Sequence, residues 1–405
     1  MMETNQHIHI TLGDPVTVAL APPDVRDWGP YQFPGLARLP DGRIKVSFHV
    51  EADSSTAYGL PPVCAVSADE GLTWDLLPRE AGTAGSSAWD AEIHLPNGDR
   101  LRPVTLRARP VAEIALPAAP FAEYLSYGMR RAAYRLEDLP PDCADGYVLM
   151  RQAAGSESWV EERAQVRLPG AVRIVDVPEG VMWFPWLSTQ FVVAPDGALL
   201  AVNYTLRRIV DGHFQTACPV TILRSVDAGR SWDLWSEVPY AGDLVADPHA
   251  VERDGFNEPF LQFLPDGSAL CLLRTTDGHG VGPLYAMRSP DHGRTWTTPE
   301  VFDDLGVWPQ VLTLANGITL AVYGRPGLYV RATADPAGLR WEERLPVVPP
   351  GALHRDTCSY AALLPLSDDT ALIAYSEFNL PGPDDRPCKG IRVRRVTVPY
   401  TETSA

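Results

Sequence analysis

The stretch Ser225-Val226-Asp227-Ala228-Gly229-Arg230-Ser231-Trp232 contains a pattern that recurs along this chain. Further intact copies run from Ser67 to Trp74 and from Ser289 to Trp296, and decayed copies lie at 155–159 and 333–341. In this S-x-D-x-G-x-[ST]-W pattern, the Ser and Asp side chains can bond their own backbone, Gly accepts a positive φ, and Trp can pack back onto a sheet. The pattern therefore predicts a structural turn between strands, and we assign no chemistry to its aspartates.

A second repeat is a tight hairpin turn between two apolar runs. Its six copies are at 39–42, 95–98, 194–197, 264–267, 314–317 and 366–369, and the sixth has lost its Gly. Asp-Gly or Asn-Gly between apolar runs is typical of a β-hairpin. In the hairpin from Phe256 to Arg274, Glu258 and Arg274 lie side by side at the end away from the turn. A surface ion pair would explain one such pair, but the same unit recurs with polar residues at the same end.

Composition limits the class of protein. The 405 residues carry a formal charge of −17, which argues against nucleic acid or an anionic membrane as the main partner. The six cysteines and nine histidines show no metal-ligand spacing, so neither a metal site nor a cofactor is predicted, and no calcium-ligand spacing is found. We find neither a signal peptide nor a membrane-spanning run, so a cytoplasmic protein is expected, or a secreted one if a leader has been removed.

The eight-residue turns resemble the Asp-box, or BNR repeat, of the sialidase/neuraminidase-like superfamily, and the resemblance extends over nearly the whole chain. It implies an all-β fold: a six-bladed β-propeller of four-stranded antiparallel blades, formed by residues 1–405 as a single domain. An N-terminal strand at 9–12 or 16–20 and a C-terminal strand at 390–398 are expected to share the closing blade. Blade two is elaborated around 104–147, and its segment 121–136 is compatible with either an amphipathic helix or a strand.

Polar and aromatic residues recur at the strand ends remote from the hairpin turns. Besides Glu258 and Arg274, the candidates for substrate binding at this end are Gln32, Trp186, Arg207, Trp308, Gln310 and Arg325. Arginines can hold a carboxylate through two hydrogen bonds, and aromatic faces pack on sugar rings. For the two tryptophans, core or rim packing is a more common role than contact with a sugar. Together the set favours a carbohydrate with a negative charge as the ligand.

The resemblance implies roles for individual residues. Glu258 and Arg274 match a Glu in an Asn-Glu context and the Arg that ends the following strand, and Arg325 matches an Arg ahead of an Asp-box. Tyr360, in Ser-Tyr-Ala-Ala-Leu, matches the tyrosine nucleophile, with Glu258 as its base. Asp53 is the nearest candidate for the acid/base, although its loop is also compatible with a simple turn. Sialidases use tyrosine because an anionic substrate repels a carboxylate nucleophile.

One position departs from the family pattern. The family's first blade begins Phe-Arg-Ile-Pro, whereas this chain has Tyr31-Gln32-Phe33-Pro34, so Gln32 replaces the first arginine of the triad. Glutamine keeps hydrogen bonding but no charge, and the lost contact would cost about 1.5–3 kcal/mol. Arg207 could compensate from another blade. The sugar is therefore expected to differ from sialic acid: a uronic acid, or a neutral sugar such as a deoxysugar.

The leading hypothesis is an exo-acting glycoside hydrolase that removes a terminal, acidic sugar from a glycan. A first alternative is a polysaccharide lyase, in which Tyr360, His49 or His354 moves the proton α to a uronate carboxylate. A second alternative is a propeller that binds glycans without turnover. Sugar identity, linkage, stereochemistry and oligomeric state are not fixed by the sequence.

Overall fold

The structure is a computed structural model that describes residues 8–54, 57, 59–79, 92–144, 147–184, 190–275, 279–351, 356–382 and 386–399. In these residues the chain forms a six-bladed β-propeller, which confirms the expected fold class. None of the six cysteines, all of which are described, is in a disulfide. Among the described residues, no helix has the length and apolar character needed to cross a membrane.

The chain begins with two strands of the closing blade and then forms blade one. The first two are β1 (Thr11–Leu12) and β2 (Val16–Leu20), and blade one consists of β3 (Gln32–Arg38), β4 (Ile44–His49), β5 (Val63–Ser67) and β6 (Asp75–Leu76). Both β1 and β2 pair with the last strand of the chain, with Thr11 opposite Thr397 and Val16 opposite Val393. The expected closure of the ring by the two termini is confirmed.

Blade two contains an insertion between its second and third strands. The elements in order are β7 (Ile93–His94), β8 (Arg100–Pro103), β9 (Arg109–Pro110), β10 (Ala122–Ser126), β11 (Met129–Arg135), β12 (Val148–Gln152) and β13 (Trp159–Arg163). Short helices lie at Val111–Glu113 and Leu136–Asp138 (3-10) and at Pro141–Ala144 (α). The blade itself is β7, β8, β12 and β13. Of the two alternatives for 121–136, the strand is correct, because this segment forms the β10–β11 hairpin.

The inserted strands form a sheet of their own with two strands that precede blade three. After β14 (Gln165–Arg167) come β15 (Val172–Asp176) and β16 (Val181–Trp183), and the order of the inserted sheet is β10-β11-β15-β16-β9. A small core that includes Ala132, Tyr134, Val175 and Met182 packs beneath it. The elaboration therefore extends past the expected 104–147 as far as Trp183.

Blades three to six follow the regular pattern. Their strands are β17 (Gln190–Val193), β18 (Leu199–Asn203), β19 (Ile209–Val210), β20 (His213–Phe214), β21 (Val220–Ser225) and β22 (Ser231–Val238); β23 (Asn257–Phe263), β24 (Ala269–Arg274), β25 (Leu284–Ser289) and β26 (Glu300–Asp303); β27 (Val307–Thr313), β28 (Thr319–Gly324), β29 (Leu328–Thr333) and β30 (Leu345–Val348); and β31 (Ala361–Pro365), β32 (Thr370–Pro381) and β33 (Pro387–Thr397). A 3-10 helix at Ala250–Glu252 lies between blades three and four. Strand β14 adds to blade three in parallel beside β22, and β19 pairs with β20 alone.

The eight-residue turns have the hydrogen bonds that their sequence predicts. Asp227 accepts from the backbone N–H of Ser231 at 2.9 Å and from its hydroxyl at 2.7 Å, and the Trp232 indole donates to the carbonyl of Gly229 at 2.9 Å. Gly229 has φ +87°, and a Cβ there would lie 2.7 Å from Leu101 of blade two. The turn therefore favours glycine here, and the Leu101 side chain would have to shift to admit a larger residue.

Hydrophobic side chains fill the space between neighbouring blades. Val46 and Phe48 of blade one pack with Leu372 and Ile391 of blade six, and equivalent clusters join blades two to three, three to four, four to five and five to six. Both faces of the middle strands are covered, as in β24, whose residues are all buried. The cores lie between the blades, which leaves the centre of the ring for polar side chains.

Candidate functional site

A cavity of about 530 Å³ lies at the strand ends remote from the hairpin turns. Four blades supply a first group of lining residues: Phe33, Asp53, Glu258, Arg274, Arg325 and Tyr360. Blade three and the inserted sheet supply a second group, which includes Tyr124, Tyr127, Arg131, Asp176, Tyr204 and Arg207. The volume is within the range of about 300–1,000 Å³ that is typical of small-ligand sites.

Glu258, Arg274 and Tyr360 contact one another in this cavity. The Tyr360 hydroxyl is hydrogen-bonded to Oε1 of Glu258, and Nη1 of Arg274 donates to the same carboxylate oxygen and, at 2.9 Å, to the Tyr360 hydroxyl. All three side chains are buried. Residues 102 positions apart in the sequence are thus joined at the axis, as the repeat predicted.

The strand starts that position these groups share a backbone irregularity. Phe33, Glu258 and Trp308 each precede a proline and have φ of +56°, +45° and +46°, and a bulge interrupts pairing at the same point of each hairpin. Positive φ is uncommon for such residues and is often found at functional sites. In blade four this conformation directs Glu258 at Tyr360 and Arg274, while the preceding Asn257 is fully buried.

Trp308 supports the cluster. Its backbone N–H donates to Oε2 of Glu258 at 3.0 Å, and its ring stacks on Tyr360 with centroids 4.8 Å apart. Phe33 contacts the Tyr360 ring edge-on at 4.8 Å. These contacts hold the tyrosine ring in one orientation, although Trp308 itself is not among the described residues that line the cavity.

Arg325 and Asp53 complete the first group. The guanidinium of Arg325 lies 5.2 Å from the ring centroid of Trp28 and 5.8 Å from that of Tyr360, and it donates to the carbonyl of Cys358 at 2.8 Å. The Trp28 indole donates to the Asp53 carboxylate at 3.0 Å. Asp53 is therefore fixed in the same cavity as Tyr360.

Burial shifts the pKa values of the Tyr360 and Arg274 side chains. It raises the pKa of the Tyr360 hydroxyl well above its usual value, and the negative charge of Glu258 adds to this effect. Burial opposes the charge of Arg274, but Glu258 and the surrounding phenols more than offset it, so the pKa of Arg274 is also raised. At neutral pH, Tyr360 is therefore a phenol that needs a base before it can act as a nucleophile.

Besides Trp308, three of the predicted binding residues are not among the described residues that line the cavity. Gln32 is fully buried and, like Gln310, is not among the described residues that line the cavity. The amide of Gln310 donates to the carbonyl of Pro309 at 3.1 Å. Trp186 falls outside the described residues. At the start of blade one, the side chain that lines the cavity is Phe33, one position after the glutamine.

Arg207 lines the opposite side of the cavity. Its guanidinium donates to the carbonyl of Thr216 at 3.0 Å and to the hydroxyl of Ser126 at 3.3 Å, and lies 5.0 Å from the ring centroid of Tyr124. Ser126 and Tyr124 belong to β10 of the inserted sheet. This arginine therefore connects blade three to the insertion.

The inserted sheet contributes residues that the sequence did not identify. Tyr124, Tyr127, Arg131 and Asp176 line the cavity, and Arg131 forms an ion pair with Asp176 across β11 and β15. The backbone N–H of Tyr127, at the hairpin tip, donates to Asp254 at 2.5 Å. The feature of the sequence that could have indicated these residues is the cluster of tyrosines in a segment outside the repeats.

The described lining residues contain equal numbers of arginines and acids: Arg131, Arg207, Arg274 and Arg325, against Asp53, Asp176, Glu179 and Glu258. Arg131 and Arg274 each pair with one of these acids. Arg207 and Arg325 have no carboxylate within ion-pair distance among the described residues. These two cations are the ones available to an anionic ligand.

His49, a candidate proton carrier in the lyase alternative, is buried beside Phe33 at 5.6 Å. Burial lowers its pKa to about 4, so it is neutral at physiological pH. It is not among the described residues that line the cavity, and His354 falls outside the description.

Comparison with protein-family models and with curated protein sequences gave no match. Solved structures do resemble the chain. A protein of unknown function from Dyadobacter fermentans matches with a TM-score of 0.63 and 17% identity, covering 96% of this chain and 99% of that one. An α-L-arabinanase of Penicillium chrysogenum, solved with arabinobiose, matches at 0.53 and 14%, covering 95% and 98%. The NanB sialidase of Streptococcus pneumoniae, as a K499G mutant, matches at 0.51 and 13%, covering 95% and 70%. At these identities the likeness shows the fold, a propeller of the kind found in sialidases and an arabinanase.

Proposed function

We propose that this chain is an exo-acting glycoside hydrolase that removes a terminal, acidic sugar from a glycan. The observation that supports this most strongly is the contact of the Tyr360 hydroxyl with both Glu258 and Arg274 inside a cavity that Asp53 also lines. A phenol beside a carboxylate base and a guanidinium is the arrangement needed for a tyrosine nucleophile.

The first chemical step follows from these contacts. Glu258 accepts the Tyr360 proton while the phenolic oxygen attacks the anomeric carbon, and Arg274 stabilises the negative charge that develops on that oxygen. Asp53 gives a proton to the oxygen of the departing group as the glycosidic bond breaks. The product of this step is a sugar bound covalently to Tyr360.

In the second step, Asp53 accepts a proton from water, and the water oxygen attacks the anomeric carbon. The bond to Tyr360 breaks, and the phenolate recovers its proton from Glu258. Two displacements at one carbon give retention of configuration. Trp308 and Phe33 keep the tyrosine ring in place through both steps.

The acidic character of the sugar is inferred from Arg325 and Arg207. A cation in a cavity without a carboxylate partner among the described residues suits a ligand carboxylate. Arg325 lies over the Tyr360 ring, so a carboxylate bound there would lie close to the reacting carbon. Blade one has no charge at the position where the resemblance implies an arginine, so we expect an acidic sugar other than sialic acid, such as a uronic acid.

A screen of aryl glycosides tests this proposal, with sialosides, uronides, arabinosides and deoxysugars compared side by side. We expect release of the aryl group from one acidic glycoside, and loss of release in Tyr360→Phe and Glu258→Gln. Asp53→Asn should lower the rate about 10²-fold or more for poor leaving groups, but much less for activated ones, because only poor leaving groups need the proton.

Three results would contradict the proposal. Unchanged turnover in both Tyr360→Phe and Glu258→Gln would exclude the tyrosine mechanism. A product from uronate polysaccharides that absorbs in the ultraviolet would indicate β-elimination, and hence the lyase. Tight glycan binding that survives in Tyr360→Phe, without turnover in the wild type, would indicate a binding protein.

A further inference from the structure

Two histidines and a glutamate, none of which lines the cavity, meet on the surface. His249 and Glu252 lie in the connection between β22 and β23, and His279 lies in the connection between β24 and β25. The Nδ1 atom of His249 is 3.1 Å from Oε2 of Glu252, and the Nδ1 atom of His279 is 3.4 Å from the same oxygen. One ligand atom from each residue lies within 4.8 Å of the other two.

These distances fit the edges of a metal coordination shell. Zinc bonds to imidazole nitrogen and carboxylate oxygen measure about 2.0–2.2 Å, so the ligands of a tetrahedral site lie about 3.3–3.6 Å apart. The two nitrogen–oxygen separations, 3.1 and 3.4 Å, are close to that range. Two imidazoles and one carboxylate are also a ligand set that zinc and similar divalent ions use in proteins.

The backbone beneath the three side chains is held by a buried ion pair. Arg253, next to Glu252, pairs with Asp247 at 2.8 Å, and the two side chains are only 1% and 4% exposed. The same guanidinium donates to the carbonyls of Gly280 at 3.1 Å and Val281 at 3.4 Å, directly after His279. One arginine therefore links both connections, which reduces the cost of ordering the ligands when an ion binds.

The cluster is also open to ions from solvent. The exposed fractions of the His249, Glu252 and His279 side chains are 53%, 55% and 37%. The two imidazole rings lie nearly parallel, with centroids 5.3 Å apart and an angle of 18°. Because each imidazole nitrogen directs its lone pair in the plane of its own ring, one of the two rings has to turn about its Cβ–Cγ bond before both nitrogens point at one ion. A chain with a formal charge of −17 also attracts cations.

We propose that His249, Glu252 and His279 bind one divalent transition-metal ion of the zinc class, with water in the remaining position. The ion fastens the connection before β23 to the connection after β24. Those two strands place Glu258 and Arg274 in the cavity. The metal therefore stabilises the end of the β23–β24 hairpin that carries these two residues. No ligand spacing in the sequence indicates this site, because its two histidines are 30 positions apart in segments outside the repeats.

Titration calorimetry of the full, metal-stripped chain with zinc chloride tests the proposal, together with melting curves with and without zinc. We expect one zinc ion per chain and a higher melting temperature when zinc is present. His279→Ala and His249→Ala should each weaken binding at least tenfold and abolish the rise in melting temperature. His213→Ala, which removes another exposed histidine, is the matched control and should bind zinc as the wild type does.

The outcomes are decisive in either direction. Absence of zinc binding, or affinity that is unchanged in both His279→Ala and His249→Ala, would overturn the proposal, since zinc would then bind elsewhere, for example at a cysteine. Stronger binding of magnesium or calcium than of zinc would also overturn it, because those ions prefer oxygen ligands. The control is the melting curve of each variant without metal. If it matches that of the metal-free wild type, the alanine has not disturbed the fold.

Discussion

The cavity has two unlike walls. The propeller wall consists of Asp53, Glu258, Arg274, Arg325 and Tyr360, and the inserted wall consists of Tyr124, Tyr127, Arg131 and Asp176, with Arg207 of blade three bonded to it. In the propeller wall, a carboxylate, a guanidinium and a phenol from different blades bond to one another. In the inserted wall, the Tyr124 hydroxyl has no hydrogen-bond partner among the described residues. If the proposed function holds, we expect the blades to provide the chemistry and the inserted wall to select the ligand.

The largest expected difference is between two Tyr-to-Phe substitutions. Tyr360→Phe should lower kcat roughly 10³-fold, because it removes the proposed nucleophile and the proton that Glu258 accepts. Tyr124→Phe removes the same hydroxyl from the inserted wall and should change kcat less than about threefold. Steady-state kinetics on the best substrate of the glycoside screen measures both. Equal losses of kcat in the two variants would contradict the division between the walls.

Buried ion pairs provide the second comparison. Arg274→Gln leaves the buried Glu258 carboxylate without its cation, and should lower the free energy of unfolding by about 3 kcal/mol. In a Glu258→Gln background the same change should cost much less, because the charge has already been removed. Urea unfolding of the two single variants and the double variant completes this cycle.

Arg131→Gln is the matched change in the inserted wall, since Arg131 pairs there with the buried Asp176. It should also lower the free energy of unfolding, but it should leave kcat close to the wild-type value. A loss of kcat in Arg131→Gln as large as that in Arg274→Gln would show that the inserted wall takes part in the chemistry.

The sequence predicted the propeller wall because equivalent residues of the repeated hairpins occupy equivalent positions in their blades. Each blade begins and ends its first hairpin at the same end of the ring, so Glu258, Arg274, Arg325 and Tyr360 could be brought together without knowledge of the structure. The inserted wall has no such repeat. Strand β10 pairs with β11, and β11 pairs with β15, which follows blade two; no periodicity in the sequence links these segments.

The direction of the side chains at the strand starts was the other feature that the sequence did not predict. Strict alternation along a strand does not hold where a residue with positive φ and a bulge occur together. At the start of blade one this places Phe33 in the cavity and buries Gln32. An alignment of the blades on the residue before proline, Phe33 with Glu258 and Trp308, would have shown this.

A smaller effect is expected from Arg207, which is bonded to the inserted wall through Ser126 and has no carboxylate partner among the described residues. Arg207→Gln should raise KM for an acidic glycoside about tenfold with little change in kcat, because a charged hydrogen bond to substrate is lost equally in the ground and transition states. The KM for a neutral glycoside should not change. If kcat decreases while KM is constant, Arg207 acts on the transition state, and the inserted wall is catalytic.

The smallest effect concerns the repeated turns that hold the propeller together. The hydroxyl and backbone N–H of Thr73, with the Ser67 hydroxyl, hold the pKa of Asp69 at about 2, below its ordinary value of 3.8. Because the folded-state pKa is the lower one, the ionised Asp69 stabilises the fold above about pH 4, and this contribution is lost as the pH falls towards 2. The difference in urea midpoint between wild type and Asp69→Asn should therefore shrink over that interval. Glu123→Gln, which removes an exposed acid from the inserted sheet, is the control. A wild-type to Asp69→Asn difference that stays constant down to about pH 2 would mean that the turn contributes through its shape and not through its charge.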